Sequence, residues 1–269
     1  MTLSDLVRAY LDEDAAWRDH SSAIVEGEFV SARAVAKEGG VVAGLRETRA
    51  VYDEVRPGVT FEGLVEDGER VDAGDDVFSV EGEAAGVLRG ERLALNVLCA
   101  MSGVASVTRD CVESVDDVRV AATRKTHPGF RFFEKRAVEI GGGDPHRYDL
   151  ADAVMVKDNH VEVLGLEEAV ERAVERSSFT SFVEVEAESA EVAVRAAEMG
   201  VDAVLLDNMS PGEVEEAVAA IEGFDVVVEV SGGVRPDNLG GFDLAGVDVV
   251  SMGSLVHSSD WMDFSLRVV

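Results

Sequence analysis

A chain of 269 residues with 54 Asp or Glu, 24 Lys or Arg and a formal charge of -30 must carry a shell of solvated carboxylates. That shell argues against nucleic acid as a partner. Its 46% apolar composition supplies a core for one large domain or two modest ones, and no apolar run reaches the roughly 18 residues needed to span a bilayer. Cys99 and Cys111 are too few for a disulfide framework and sit in an apolar helical run, so they read as core residues in a reducing interior.

In chain order, Leu3 to Leu11 forms a first helix. The N-terminal stretch has no basic patch followed by an apolar one, so a cytoplasmic protein is expected. A salty cytoplasm suits this charge, because the Debye length falls to roughly 3 Å at 1 M salt and self-repulsion is screened. From Ala23 to Gly90, short β-rich runs such as EFVSARAVA and DDVFSV alternate with the turn signals EGG, RPG, EDGER and DAGDD, the pattern of a small α+β domain. A long helix then covers ERLALNVLCAMSGVASVTRDCVESV.

Beyond it the texture changes to alternating strands and helices. Strands are predicted at 118–124, 152–158, 181–187, 202–208, 225–232 and 247–253. Amphipathic helices lie between them, with Ser189 and Ser210 placed as N-caps and Gly200 as a stop. Repeated βα units imply a parallel sheet. Residues at the strand ends, Lys125, Lys157, Glu186, Asp207, Ser231 and Gly253, are spaced 32, 29, 21, 24 and 22 apart, a regularity that fits an α/β barrel short of eight strands. A doubly wound sheet is the alternative, but no G-x-G-x-x-G follows the first strand.

Barrels place their active sites at these strand ends. Two cations (Lys125, Lys157), two carboxylates (Glu186, Asp207) and two Gly turns (Ser231-Gly232-Gly233 and Met252-Gly253-Ser254) converge there. Glycine lets backbone N–H groups approach a phosphate closely, so a phosphorylated substrate is expected. The carboxylate pair suits a metal or a developing positive charge. Glu184 shares a strand face with Glu186, and spacing alone does not choose between them. Charge also reverses locally: Arg124 through Lys157 holds seven Lys or Arg against five Asp or Glu. Within it, Arg124, Lys125, His146, Arg147 and Lys157 form an anion-binding set, with GGGDPHR as a pliant loop carrying His146 and Arg147 over the barrel mouth. Arg131, Lys135 and Arg136, on the helix GFRFFEKRAVEI, are expected to be solvated or paired locally. His20, His127 and His257 receive no role.

The motifs ERLALN (91–96), SGVAS (102–106), TRKTHPGFRFFEKRAVEIGGGDPHR (123–147), VKDNH (156–160), VEVEAES (183–189), LLDN (205–208), SGG (231–233) and MGSLVHS (252–258) together resemble the quinolinate phosphoribosyltransferase family over nearly the whole chain. The resemblance implies an α+β sandwich domain at 1–103 and an incomplete, seven-stranded α/β barrel at 104–269. It implies formation of nicotinate mononucleotide, pyrophosphate and CO₂ from quinolinate and phosphoribosyl pyrophosphate, with Mg²⁺ carried on the pyrophosphate. Arg92, Arg124, His146, Arg147 and Lys157 would bind quinolinate. Thr123 would join the substrate contacts, and the SGG and MGS turns would hold the 5-phosphate. Lys125, Glu186 and Asp207 would be catalytic, and the match favours Glu186 over Glu184. Arg92 would reach a neighbour's site, making a homodimer or a hexamer the working assembly. WRDHSS departs from the family's usual N-terminal run. A relative that uses nicotinate without decarboxylation is the competing expectation.

Overall fold

The alternation of the first ninety residues closes into antiparallel sheet. In the computed structural model, which describes residues 2–15, 19–55 and 59–269, the chain opens with α1 (Leu3–Ala15), β1 (Phe29–Ala36), β2 (Gly40–Val41), α2 (Leu45–Val55), β3 (Thr60–Gly63), β4 (Arg70–Val71) and β5 (Asp76–Glu83). Trp17 and Arg18 of WRDHSS and the RPG turn lie outside the described residues. Next come α3 (Ala84–Glu113), β6 (Arg119–Ala121), α4 (Arg131–Gly141), β7 (Ala153–Val156), α5 (Asp158–Leu164) and α6 (Leu166–Arg176). The remainder is β8 (Phe182–Ala187), α7 (Ala190–Glu198), β9 (Ala203–Asp207), α8 (Pro211–Ala220), β10 (Val227–Ser231), β11 (Val249–Ser251), α9 (Ser254–His257) and β12 (Phe264–Val268).

Two compact units result: Met1–Val107 with Phe132–Gly141 and Ser259–Val269, and Thr108–Arg131 with Gly142–Ser258. The first holds a four-stranded sheet in the order β12-β1-β5-β3 and a two-stranded one of β2 and β4. Phe61 stacks on Phe78 with centroids 4.9 Å apart, and fully buried Tyr52 meets Phe78 edge-on at 6.2 Å. Such rings bury more area than any aliphatic side chain, so they anchor this core. Asp67 fixes the start of α2, its Oδ1 accepting from the N–H groups of Gly44 at 2.8 Å and Leu45 at 2.9 Å.

The second unit is a parallel sheet in the order β6-β11-β10-β9-β8-β7. Its strands are buried on both faces, as a parallel sheet covered by helices requires; in β8, Val183, Glu184, Val185 and Ala187 are all buried. All six predicted strands form, each shorter than expected, and Lys125, Lys157 and Gly253 stand past the ends of their strands. A seventh stave comes from Asp144, which bridges Ala121 in parallel; Ala122 N–H donates to Asp144 O and Asp144 N–H to Val120 O, both at 2.8 Å. The loop expected to be pliant is therefore tied into the sheet. The parallel sheet with its helices is the incomplete α/β barrel, and the antiparallel unit is the small sandwich domain. Ser189 Oγ accepts from Val192 N–H at 3.3 Å, and Ser210 forms a capping box with Glu213, with Pro211 at the first helical position, so both predicted caps form.

The helix α4 overturns one expectation. Lys135 is buried, at 3% exposure, and Arg136 pairs at long range, with Glu47 at 2.9 Å and Asp67 at 3.3 Å. Both belong to the first unit, where a buried carboxylate demands a cation and sequence distance is irrelevant. Arg131 stays local, donating to Thr126 Oγ1 at 3.0 Å and Tyr148 O at 3.1 Å.

Candidate active site

At the C-terminal ends of the barrel strands lies a cleft of about 390 Å³. Behind β6, Thr123, Arg124 and Lys125 line it; behind the Asp144 stave, His146 and Arg147; behind β7, Lys157. From β8, β9 and β10 come Glu186, Asp207 and Ser231, followed by Gly232 and Gly233. Eleven residues named from the sequence thus meet on one surface although they span 111 positions of the chain. Met252 is buried, Ser254 is buried with its Oγ donating to Val234 O at 3.1 Å, and Gly253 packs so tightly that a Cβ there would sit 2.9 Å from Lys125 Cδ. Arg92 is an exposed residue of α3, in the first unit.

Local turns aim these groups. Thr123 Oγ1 accepts from Lys125 N–H at 3.1 Å, which curls the chain as it leaves β6. His146 has φ 56, a left-handed conformation that costs a non-glycine residue energy and persists only when its surroundings hold it. Here Asp144 Oδ1 accepts from His146 N–H at 2.7 Å. His146 Nδ1 accepts from Arg147 N–H at 2.7 Å, while Nε2 lies 3.1 Å from Glu229 Oε2. Arg147 then donates to Ala153 O at 3.4 Å and to Met155 Sδ at 3.2 Å, stitching the Asp144 stave to β7.

Four cations and three carboxylates line the cleft. Lys157 Nζ is ion-paired with Glu186. Burial, then the charge of Glu186, pushes the Asp207 carboxyl up, against the pull of Lys157 and Lys125. Burial, then the charge of Arg124, lowers the Arg147 guanidinium. Arg124 Nε is buried without a hydrogen-bond partner. A buried donor left open is costly, and beside a cleft it is placed to receive an anion. Glu186 and Asp207 offer the hard oxygen donors that suit Mg²⁺.

Five lining residues were not singled out from the sequence: Met155, Leu205, Asn208, Glu229 and Ser251. Glu229 had a signal, since it is a carboxylate inside the apolar run DVVVEVSG, two residues before Ser231 and so on the same strand face. Asn208 had a weaker one, as the residue that turns the chain out of β9 at φ 58.

Residues 104–267 match the model of the quinolinate phosphoribosyl transferase C-terminal domain, and residues 19–102 match that of the N-terminal domain. A probable carboxylating nicotinate-nucleotide pyrophosphorylase of Methanothermobacter thermautotrophicus is 41% identical, covering 99% of both chains. The Homo sapiens carboxylating nicotinate-nucleotide pyrophosphorylase is 41% identical over 100% of this chain and 92% of its own. NadC from Streptococcus pyogenes superimposes with a TM-score of 0.93 at 39% identity, covering 99% and 97% of the two chains. With both domain models matched end to end, and the cleft built from the residues those motifs supply, the chain belongs to the quinolinate phosphoribosyl transferase family.

Proposed function

We propose that this protein converts quinolinate and phosphoribosyl pyrophosphate to nicotinate mononucleotide, pyrophosphate and CO₂, with the barrel domain (104–269) supplying the site and the N-terminal domain (1–103) supporting it. The observation that carries the reading is the cleft itself, where a chain of net charge -30 gathers Arg124, Lys125, Arg147 and Lys157 around one cavity. A dicarboxylate and a polyanion are the ligands such a concentration would serve.

Arg124, His146, Arg147 and Lys157 grip quinolinate, the guanidinium forks matching its carboxylates in two-point contacts. Thr123 and the turns at Ser231-Gly232-Gly233 and Met252-Gly253-Ser254 receive the ribose and its 5-phosphate through backbone N–H groups. Lys125 faces the pyrophosphate. As the C1–oxygen bond of the ribose breaks, positive charge grows on C1 and the ring oxygen, and Glu186 and Asp207 stand by to stabilise it. The pyridine nitrogen closes the new bond at C1. Its positive charge then holds the electron pair left on the ring when the adjacent carboxylate departs as CO₂, and that carbon takes a proton. Mg²⁺, chelated by the pyrophosphate and faced by the oxygens of Glu186 and Asp207, would offset the negative charge on the leaving group.

The assembly we propose is a homodimer in which Arg92 completes the partner's quinolinate pocket. Mixed Arg92→Ala and Lys125→Ala protomers should recover part of the activity each lacks alone; no recovery after demonstrated subunit exchange rules sharing out. No helix among the described residues is long and apolar enough to cross a membrane, and a cytoplasmic setting of high ionic strength fits the acidic surface. Incubation at high salt with quinolinate, phosphoribosyl pyrophosphate and Mg²⁺ should release nicotinate mononucleotide and CO₂ in equal amounts. Turnover of nicotinate but not quinolinate would replace this reading with the non-decarboxylating one.

A further inference from the structure

The Asp144 stave joins the two edges of the parallel sheet: it bridges β6, and Arg147 ties it to β7. In the order β6-β11-β10-β9-β8-β7, β10 is then the strand that faces this stave across the barrel interior. One strut spans the gap. Glu229 of β10, only 6% exposed, has its Oε2 3.1 Å from His146 Nε2, and its Oε1 accepts from Ser251 Oγ of β11 at 2.6 Å. Because a backbone N–H can only donate, the Arg147 N–H at 2.7 Å from His146 Nδ1 puts the ring proton on Nε2, aimed at Glu229. The imidazole is thus held at both nitrogens. Its backbone, at φ 56, is one that a non-glycine residue keeps only where its surroundings enforce it.

Glu229 also lines the cleft, where its charge is out of place. A carboxylate repels a dicarboxylate, and burial strengthens the repulsion because little water screens it. We infer that Glu229 is a positioning residue for quinolinate: by accepting the His146 proton it locks the left-handed turn that follows Asp144, and so aims the guanidinium of Arg147 into the cleft. This inference rests on the quinolinate reading above. Acceptor and charge are separable here. Positioning needs only an oxygen opposite Nε2, since a neutral imidazole N–H is served by an amide oxygen as well as by a carboxylate. In Glu229→Gln the tautomer stays fixed from the Arg147 side, so the amide turns its oxygen to Nε2 and its NH₂ to Ser251 Oγ, a hydroxyl that can accept instead of donate. Glu229→Met fills similar space but leaves His146 Nε2 and Ser251 Oγ without this partner.

The test is calorimetric titration of the wild-type enzyme and both variants with quinolinate, at one pH and one salt concentration, beside steady-state kinetics for each substrate. Glu229→Met should weaken quinolinate by roughly 10-fold to 10²-fold, the scale of loss when a binding group is misplaced by about 1 Å, with the KM for phosphoribosyl pyrophosphate nearly unchanged. Glu229→Gln should bind quinolinate at least as tightly as wild type. Tightening in both variants would make Glu229 a repelling charge and nothing more. Equal weakening in both would mean that the charge itself is needed, and equal loss for both substrates in Glu229→Met would mean general damage; each of these results overturns the inference. Nitrogen-15 NMR of the wild-type enzyme adds a check that no variant's folding can blur. The chain has five histidines, and the His146 ring signal is the one lost in His146→Asn. A ring protonated on Nε2 alone is expected, and one protonated on Nδ1 overturns the inference. Absence of quinolinate binding by the wild-type enzyme instead removes the substrate reading, and the inference with it.

Discussion

Each unit buries a carboxylate cluster, and the two are built on opposite principles. In the first, Glu47 is fully buried and meets Arg136 at 2.9 Å, while Asp67 takes the other edge of that guanidinium at 3.3 Å. Its pKa is raised by burial, with Arg136 pulling it back. In the second, Glu184 is buried beside Glu229 with its Oε1 lacking a hydrogen-bond partner, and the cations acting on it, Arg147 and Lys157, line the cleft. A buried charge matched by its own counterion is spent on structure. One without a counterion of its own, beside cations that face a cavity, leaves those cations open to a ligand. In a chain this acidic, what distinguishes the two clusters is which carboxylates lack a dedicated counterion.

The sharpest way to break the comparison is Arg136→Met, which strands Glu47. Breaking a buried pair from one side typically costs about 3 to 5 kcal/mol, roughly 10 °C in melting temperature for a chain of this size. The pH dependence has a definite sign. A carboxyl whose folded pKa lies above its unfolded value binds an extra proton in the native state, so stability falls as pH rises from the unfolded value toward the folded one. The deficit of Arg136→Met should therefore be largest at neutral pH and shrink as pH falls toward about 4.5. A variant equally destabilised at pH 5 and pH 8 would show that Glu47 is not the group left unpaired.

The next effect separates roles inside the cleft. Glu186→Gln and Asp207→Asn should lower kcat by roughly 10²-fold to 10³-fold while quinolinate affinity changes little, since their charge is called on only as pyrophosphate leaves. Arg147→Ala should do the reverse, weakening quinolinate by about 1.5 to 3 kcal/mol, the usual value of a charge-assisted hydrogen bond. Steady-state kinetics beside direct quinolinate titration checks both. Equal loss of affinity in all three variants would mean the cleft works as one undivided electrostatic field.

Much of this was legible because barrel chemistry repeats along the chain. Strand-end residues recur at near-constant spacing, so Lys125, Lys157, Glu186, Asp207 and Ser231 could be gathered onto one surface from sequence alone. Three kinds of feature escaped. Glu229 and Ser251 lie on strands before the Gly turns, and their importance comes from His146, which bonds Glu229 from 83 residues away, and from Glu184, which is buried close to it from 45 residues away. Arg136 was read as a helix-surface cation because helical periodicity reports which side of a helix a residue occupies, not whether another segment covers that side. The Asp144 stave was taken for a loop since a single bridged residue leaves no alternation to detect.

Backbone offers the finest version of the same contrast. Gly74, in the first unit, and Gly232, in the second, both have left-handed φ, +104 and +92, where a side chain is strained. Nothing lies within 4 Å of a Cβ built on Gly74, whereas one on Gly232 would stand 2.4 Å from Asn208 Oδ1 and 2.6 Å from Asn208 N. Asn208 is not free to yield: its N–H donates to Ser231 O at 2.9 Å and its Nδ2 to Asp207 Oδ2 at 2.6 Å. Gly74→Ala should thus cost only the conformational strain, about 1 to 2 kcal/mol of stability, and leave kinetics unchanged. Gly232→Ala should cost at least that much and, by displacing Asn208 and with it Asp207, should also raise the KM for phosphoribosyl pyrophosphate and lower kcat. If both variants lost the same stability and Gly232→Ala kept wild-type kinetics, the close approach of Gly232 to Asn208 would be packing alone, and the phosphate would have to be held by the Gly253 turn.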